Sequence, residues 1–533
     1  MAEGDLGPLF EMAASDSDAD ALVRLRQIYE TCGWVLVESV LADIPSDLRW
    51  LYESGAVTLP QLAELQRSLG VASAADLAAA ADEHAIRDVP SLGESVETAI
   101  ADGLPQLRKR VPRIPLGRAM AMVEPLLEQA RSLPDVAWAE PVGSLRRGQD
   151  IVGDVELLVS TRASGGEPIT EALTATQDVT RWLHKSPHRA YILVDRVQIG
   201  LRVVDAANAG AALLYLTGSS DHFNGLRARA ATRGLRLASS GLYAADGTLR
   251  MAEDEETIYR ALDLPLIPPE IRHGEDELEA ADRGELPRLV TRGDIRGDLH
   301  MHTTWSDGRD SVEEMVATCR ALGYSYVAIT DHSPHSAASR NLTVDGVKHQ
   351  ADEIADVRAR YPDITILHGC EVDILPDGTL DFPDRILERF DIVLASLHER
   401  AGHDSDRLMA RYIGAMKHPL VSLITHPTNR LVPHRVGYDL DYERLFEMAV
   451  ETTTLVEIDG SPAHLDLDGT LARLAIEAGA MVAIDSDCHR AEMLGRQMDL
   501  GLLMARRGWV EPRHVINTRP IDAVRQIIAS KRG

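Results

Sequence analysis

Apolar positions along the chain fall into distinct regimes. Residues 1–104 carry Ala/Leu-rich apolar stripes at helical spacing among acids, which predicts a helical region. LGRAMAMVEPLLEQARSL then predicts an amphipathic helix. From 136 to about 204 the spacing shortens to alternation and brief apolar runs. VAWAEPVGS and VGDVELLVS read as strands, and YILVDRVQIGLRVVD as a hairpin. Helix with short strands returns over 208–265. PLIPPEIRHGEDELEAADRGELPRL, rich in Pro and charge, predicts a linker with one short helix.

From about 295 the pattern becomes regular. RGDLHMH, SYVAITDH, ITILHGCEVDI, DIVLASLH, LVSLITHP, TLVEIDG and MVAIDSDCH are seven runs of strand length. Amphipathic segments such as SVEEMVATCRALGY and LDGTLARLAIEAGA separate them. Such alternation predicts parallel strands with crossover helices, closed or nearly closed into a barrel. The fold class is therefore α/β multidomain: an N-terminal helical region (1–104), a central α+β unit (105–265), a linker (266–294) and a C-terminal barrel (295–533).

Composition adjusts this picture at a few points. The 533 residues are 45% apolar but only 4% aromatic, so the cores rest on Leu, Val, Ile and Ala. No run reaches membrane-spanning length, and MAEGDLGPLFEMAASDSDAD lacks the basic and apolar parts of a secretory leader. The four cysteines (Cys32, Cys319, Cys370, Cys488) form no CxxC pair, which suits a reducing cytoplasm. The net charge of −28 argues against broad nonspecific nucleic-acid binding. LRKRVPR (107–113) and Arg146–Arg147 are the candidate basic patches.

The chemistry is concentrated at the ends of the seven runs. The first supplies His300 and His302, with Asp307 in the loop beyond. His332 ends the second, Glu371 lies in the third, His398 ends the fourth and His426 the fifth. Asp487 and His489 end the seventh. Alone, an HxH or a strand-end acid is commonly incidental or a helix cap. At successive C-terminal ends of parallel strands, nine such groups converge on one face. Imidazole with carboxylate suits zinc, manganese or iron. Nine ligands exceed one ion, so two or three divalent metals are expected, an arrangement that clamps both oxygens of a phosphoryl transfer. The histidines without such placement (His335, His349, His403, His418, His434, His464) read as solvated. His335 and Arg340 after the second run, and Arg430 and His434 after the fifth, are candidate phosphate contacts.

DLHMHTTWSDG, AITDHS, GCEVDI, SLH, ITHP and DSDCH, in that order, resemble the polymerase-and-histidinol-phosphatase (PHP) domain. The resemblance implies a distorted seven-stranded barrel, a trinuclear centre and phosphate-ester hydrolysis. It also implies that His300, His302, Glu371 and Asp487 hold one ion. Glu371 would bridge to a second ion held by His398 and His426, and Asp307, His332 and His489 would hold a third.

GSLRRGQDIVGDVELLVS (143–160) reads as strand, turn and strand, with Asp154 and Glu156 on one face. Taken alone it is also compatible with a surface hairpin. Together with LRVVDAANAGAALLYLTGSSDHFNGLRARAATRGLRLASSGLY, it resembles the palm and following subdomain of bacterial X-family DNA polymerases, which commonly carry a C-terminal PHP domain. The resemblance implies a nucleotide site at Gly143, Ser144 and Arg147, with Mg²⁺ held by three aspartates. Asp154 matches the first aspartate, Glu156 stands at the second, and Gly200 at the third supplies no ligand. Ser220 and Phe223 replace the family's lysine and asparagine. The N-terminal hairpins have lost glycines, keeping Gly93, and residues 1–104 hold 19 Asp/Glu against 5 Arg and no Lys. Nucleotide polymerisation is expected to be lost.

Three functions remain open on the sequence. One is a Mn²⁺-dependent 3′–5′ exonuclease or DNA-end phosphodiesterase in repair. The second is a phosphomonoesterase on a small phosphate ester. The third is a non-catalytic partner-binding protein.

Overall fold

The computed structural model describes residues 46–532 apart from 54, 72–73, 111–112, 154, 163–164, 176–178, 195–196 and 337. Cys32, Asp154 and the first 45 residues of the N-terminal helical region lie outside the described residues. The chain divides into two compact units: 1–112, 132–138 and 159–205 form the first; 113–131, 139–158 and 206–533 form the second.

In the first unit, helices Ser46–Glu53, Leu59–Leu69, Ala74–Asp82 and Gly93–Arg110 pack on a shared aliphatic core that includes Leu51, Leu62, Leu77 and Ile100. Thr58 starts the second helix with a capping box to Gln61, and Gly70 ends it in the left-handed region (φ +61°). Strands Val179–Ser186, Arg189–Val194 and Val197–Asp205 form an antiparallel meander, with Gly200 opposite Tyr191. The expected hairpin turns between Val194 and Val197. Asp76 ties helix to sheet: it pairs with Arg189 at 2.8 Å and with Arg202.

The second unit contains the barrel. Its strands are β1 (Gly297–Asp298), β2 (Tyr326–Ile329), β3 (Thr365–Asp373), β4 (Ile392–Ser396), β5 (Leu423–Ile424), β6 (Leu455–Asp459) and β7 (Val482–Asp485). All pair in parallel and in sequence order. A parallel bridge between Met301 and Cys488, just past β1 and β7, brings the sheet edges together, so the barrel is nearly closed. Leu299, Ala328, Leu367, Leu394, Leu423, Leu455 and Ala483 share one buried cluster. The helices between strands begin on side-chain caps, for example Ser311 with Glu314, Asp404 and Asp468.

Residues 206–290 form a second hydrophobic cluster. Helices Ala209–Thr217, Ser220–Thr232 and Glu255–Ala261 pack with the three-stranded sheet Leu235–Ala238, Gly241–Ala244, Leu249–Met251. Phe223, at the position where the family's asparagine was expected, is one of its core residues. The Pro- and charge-rich stretch read as linker packs into the same cluster through Ile267 and Ile271. Several of its charges, Glu270, Arg272 and Glu277, are buried with partners. The Arg272 guanidinium is fully buried, donating to Glu255 Oε1 at 2.6 Å and Ile267 O at 2.9 Å. Arg146 forks onto the same Glu255 (3.0 and 2.8 Å). His222 sits between Glu277 and Tyr259, 2.6 Å from each.

Burial opposes charge on Glu255, but Arg272 and Arg146 prevail and hold its carboxyl down to about 2. Glu255→Ala would leave two guanidinium groups without their buried partner. We expect a loss of about 3–5 kcal/mol at neutral pH, read by chemical denaturation. A depressed folded-state pKa stabilises above the unfolded value, so the wild-type advantage should be full above pH 4.5 and fade as pH falls towards 2.

Candidate metal centre

Six of the seven strands, all but β6, deliver a ligand-type residue near or beyond their C-terminal ends, so the side chains meet in one cup. His300 and His302 follow β1, and the loop after them is held by Asp331. That carboxylate accepts from Thr303 N (2.8 Å), Thr303 Oγ1 (2.7 Å) and Ser306 Oγ (2.6 Å), which places the neighbouring Asp307. Glu371 lies within β3 and is fully buried. His426 and Asp487 take positive φ (+24° and +46°), a costly backbone for non-glycine residues that is typical of over-determined sites.

Donor atoms within 4.8 Å of one another form three groups: His302, Asp307, His332 and His489; His300, His302 and Asp487; and His332, Glu371 and His398. Glu371 links them. Its Oε2 lies 2.7 Å from His332 Nδ1 and 3.6 Å from both His300 Nε2 and His302 Nε2. Its Oε1 lies 2.9 Å from His426 Nε2 and 3.6 Å from His398 Nε2. His302 Nε2 is 3.1 Å from Asp487 Oδ1, and His489 Nε2 is 3.2 Å from Asp307 Oδ1. Sharing thus falls on His302 and His332 as well as on Glu371.

Outer hydrogen bonds fix several rings. His300 Nδ1 is 2.6 Å from Glu457 Oε1, His398 Nδ1 is 2.9 Å from Asp373 Oδ1, and His489 Nδ1 is 3.0 Å from the Asp487 carbonyl. An Nδ1–H donated outward leaves the Nε2 lone pair facing the cup, the tautomer a metal ligand needs. Glu371 Oε2, His332 Nδ1 and His426 Nδ1 are buried and make no well-aligned hydrogen bond among the described residues, although the first two lie 2.7 Å apart. Buried lone pairs left unspent beside one another fit divalent cations. The His/Asp clusters therefore point to more than one metal ion; their chemistry does not select which element.

The electrostatics agree. Burial opposes charge on His300, but Glu457, Glu371 and Asp487 raise its pKa well above the imidazole range. Burial likewise opposes ionisation of Glu371, and His332, His300 and His398 overcome it, holding the carboxyl well below its ordinary value. Against burial, contacts with Glu371 lift His426 to about 9, and Asp307 does the same for His489. His302, buried beside His332 and His489, is pushed down to about 3.

Other expected contacts sit differently. The Arg430 guanidinium is spent on the His464 and Leu465 carbonyls and on Asp150 (2.8 Å), so its fork is not open to a substrate. His464 is not a solvated ring; it stacks on His426 with centroids 5.1 Å apart. His335 is exposed, 3.3 Å from Glu399, and exposed Arg340 reaches the Gly308 carbonyl beside Asp307. His434 is exposed in the loop after β5. Gly143 (φ +63°) and Ser144 open the short helix Gly143–Arg146, and Arg147 donates to the Thr217 carbonyl. Glu156 is buried in strand Val155–Thr161. Gly200 is buried in the first unit's meander. Glu457, Asp373 and Asp331 lie outside the expected set; the available signal was an acid inside an apolar strand for Glu457 and Asp373, and an acid next to a candidate ligand for Asp331.

Two known families match parts of the second unit. The PHP domain family matches residues 298–432, and the DNA polymerase beta thumb family matches residues 212–273. The chain is 33% identical over 492 residues to the DNA polymerase/3′-5′ exonuclease PolX of Bacillus subtilis, covering 92% of this chain and 85% of that protein. A probable phosphatase of Caldanaerobacter subterraneus is 30% identical over 246 residues, 44% of this chain and 91% of that protein. A solved structure of Leishmania infantum polymerase beta covers 40% of this chain at 18% identity, with a TM-score of only 0.27.

Metal ligation requires neutral imidazole, so His426 and His489 must shed protons to bind. Divalent-metal affinity should therefore rise with pH up to about 9 and weaken as pH falls below it. Isothermal titration of metal-free protein with Mn²⁺ at pH 6, 7 and 8 checks this, with proton release on binding as a second readout.

Proposed function

The chain belongs to the PolX family of DNA polymerase/3′–5′ exonucleases, and within that family we propose that it is a metal-dependent 3′–5′ exonuclease, or DNA-end phosphodiesterase, whose polymerase activity has been lost. The observation that carries the reading is the cup of His300, His302, Asp307, His332, Glu371, His398, His426, Asp487 and His489. Two or three divalent ions held by those residues, Mn²⁺ foremost, would supply Lewis-acid activation and charge neutralisation for phosphodiester hydrolysis. Glu371 touches more of the cup than any other residue described above and is the bridging ligand on this reading. Arg340 and His335, exposed beside the cup, are the contacts offered to a phosphate or a nucleotide. The domain limits follow the sequence: a PHP hydrolase over 295–533 and a polymerase-like region over 105–265.

Loss of polymerisation rests on residue identity. Gly200 brings no carboxylate to the position of the third aspartate, Glu156 replaces the second, and a missing ligand removes or displaces one of two metals. Phe223, in place of the family's asparagine, is committed to a hydrophobic core. Mg²⁺ at the polymerase-like site is not part of this reading. The relative from Caldanaerobacter supports a second reading, hydrolysis of a small phosphomonoester by the same cup.

The test presents Mn²⁺-loaded protein with a 5′-labelled single-stranded oligonucleotide, a simple phosphomonoester and a primed template with dNTPs. The expected result is a ladder shortening from the 3′ end and no primer extension. Glu371→Ala should lower the exonuclease rate by more than the ~10–100-fold typical of losing an outer-sphere partner. Phosphate release with an untouched oligonucleotide would move the protein to the second reading, and efficient primer extension would overturn the loss of polymerisation.

A further inference from the structure

β6 supplies none of the nine cup residues, yet it holds a fully buried carboxylate among them. Glu457 lies mid-strand in LVEID, between β5, which leads to His426, and β7, which leads to Asp487 and His489. Its two oxygens are spent on different parts of the cup. Oε1 is 2.6 Å from His300 Nδ1, and Oε2 accepts the His426 backbone N–H at 2.6 Å. Neither oxygen joins the three groups of converging donors. Resting on the multi-metal reading above, we propose that Glu457 is the positioning residue that couples two ion sites: it orients His300 for one and fixes the backbone of His426 for the other.

The chemistry requires a carboxylate of this length. His300 Nδ1–H and His426 N–H are both donors, so both Glu457 oxygens must accept. Accepting from Nδ1 keeps the His300 Nε2 lone pair in the cup, 3.6 Å from Glu371 Oε2 and from Asp487 Oδ1. A negative charge behind the ring also makes that nitrogen a stronger donor to a cation. On the other side, His426 sits at φ +24°, a conformation that needs an external constraint, and its N–H bond to Glu457 is that constraint. His426 then meets Glu371 Oε1 at 2.9 Å. One side chain thus sets the geometry on both flanks of Glu371. Glutamine at this position has one acceptor oxygen and turns an N–H towards a donor. Aspartate is one methylene too short to span both contacts.

The experiment compares wild type, Glu457→Gln and Glu457→Asp. It measures Mn²⁺ stoichiometry and affinity by titration calorimetry and elemental analysis, melting temperature in EDTA and in Mn²⁺, and oligonucleotide cleavage across a Mn²⁺ series. Both variants should bind Mn²⁺ about 10–100-fold more weakly and hold fewer ions at a concentration that saturates wild type. Their metal-free melting should stay near wild type while the Mn²⁺-induced rise shrinks. Added Mn²⁺ should restore kcat, with KM for the oligonucleotide unchanged. Stoichiometry and affinity within twofold of wild type in both variants would overturn the proposal. So would a collapse of metal-free melting in both, which would make Glu457 a structural residue. Wild type that binds no Mn²⁺ would instead overturn the metal reading beneath it.

Discussion

The structure depends on placing a fully desolvated carboxylate, Glu371, among five imidazoles at the open end of a parallel barrel. A buried carboxylate without partners is costly, and so is a cluster of buried histidines; set together, each offsets the other. The barrel makes this arrangement possible because seven parallel strands in sequence order bring their C-terminal ends to one rim. The barrel wall carries an aliphatic cluster that includes Leu299, Leu367, Leu394 and Leu455, and buried carboxylates such as Glu371 and Glu457 interrupt the strands on the way to the rim. His426 and Asp487 accept left-handed backbone at that rim, and the buried lone pairs of Glu371 and His332 are left for cations.

Much of this was legible in the sequence because the strand runs and their terminal residues follow one local rule: apolar stretch, then His, Asp or Glu. The nine cup residues announce themselves in that way. Glu457 and Asp373 do not, because each reads as a flaw in an apolar run until the residue behind it is known, and Asp331 is hidden by the neighbouring His332. Pairing across the fold is invisible to composition. The stretch around Arg272 and Glu277 looks like a charged linker, yet these two residues are buried against Glu255 and His222. Arg430 fails for the same reason: proximity to THP was readable, but the carbonyls that consume its guanidinium were not.

The two halves of the chain carry unequal commitments. In the barrel, residues of ligand type stand at every expected position and hydrogen-bonded partners orient them. In the polymerase-like part, the scaffold persists: Arg146 is locked to Glu255, and Arg147 to the Thr217 carbonyl. Gly200 is buried in its strand and carries no carboxylate. The proposed end-processing role rests on this contrast: the barrel is furnished with ligand-type residues, whereas the polymerase-like region is proposed to have lost its metal site.

The central claim is that the cup holds several divalent ions around Glu371. Anomalous diffraction from crystals of the whole chain grown with Mn²⁺ tests it most directly. The account predicts two or three anomalous peaks inside the cup, with Glu371 between at least two of them. A single peak, or none among these nine residues, would contradict it.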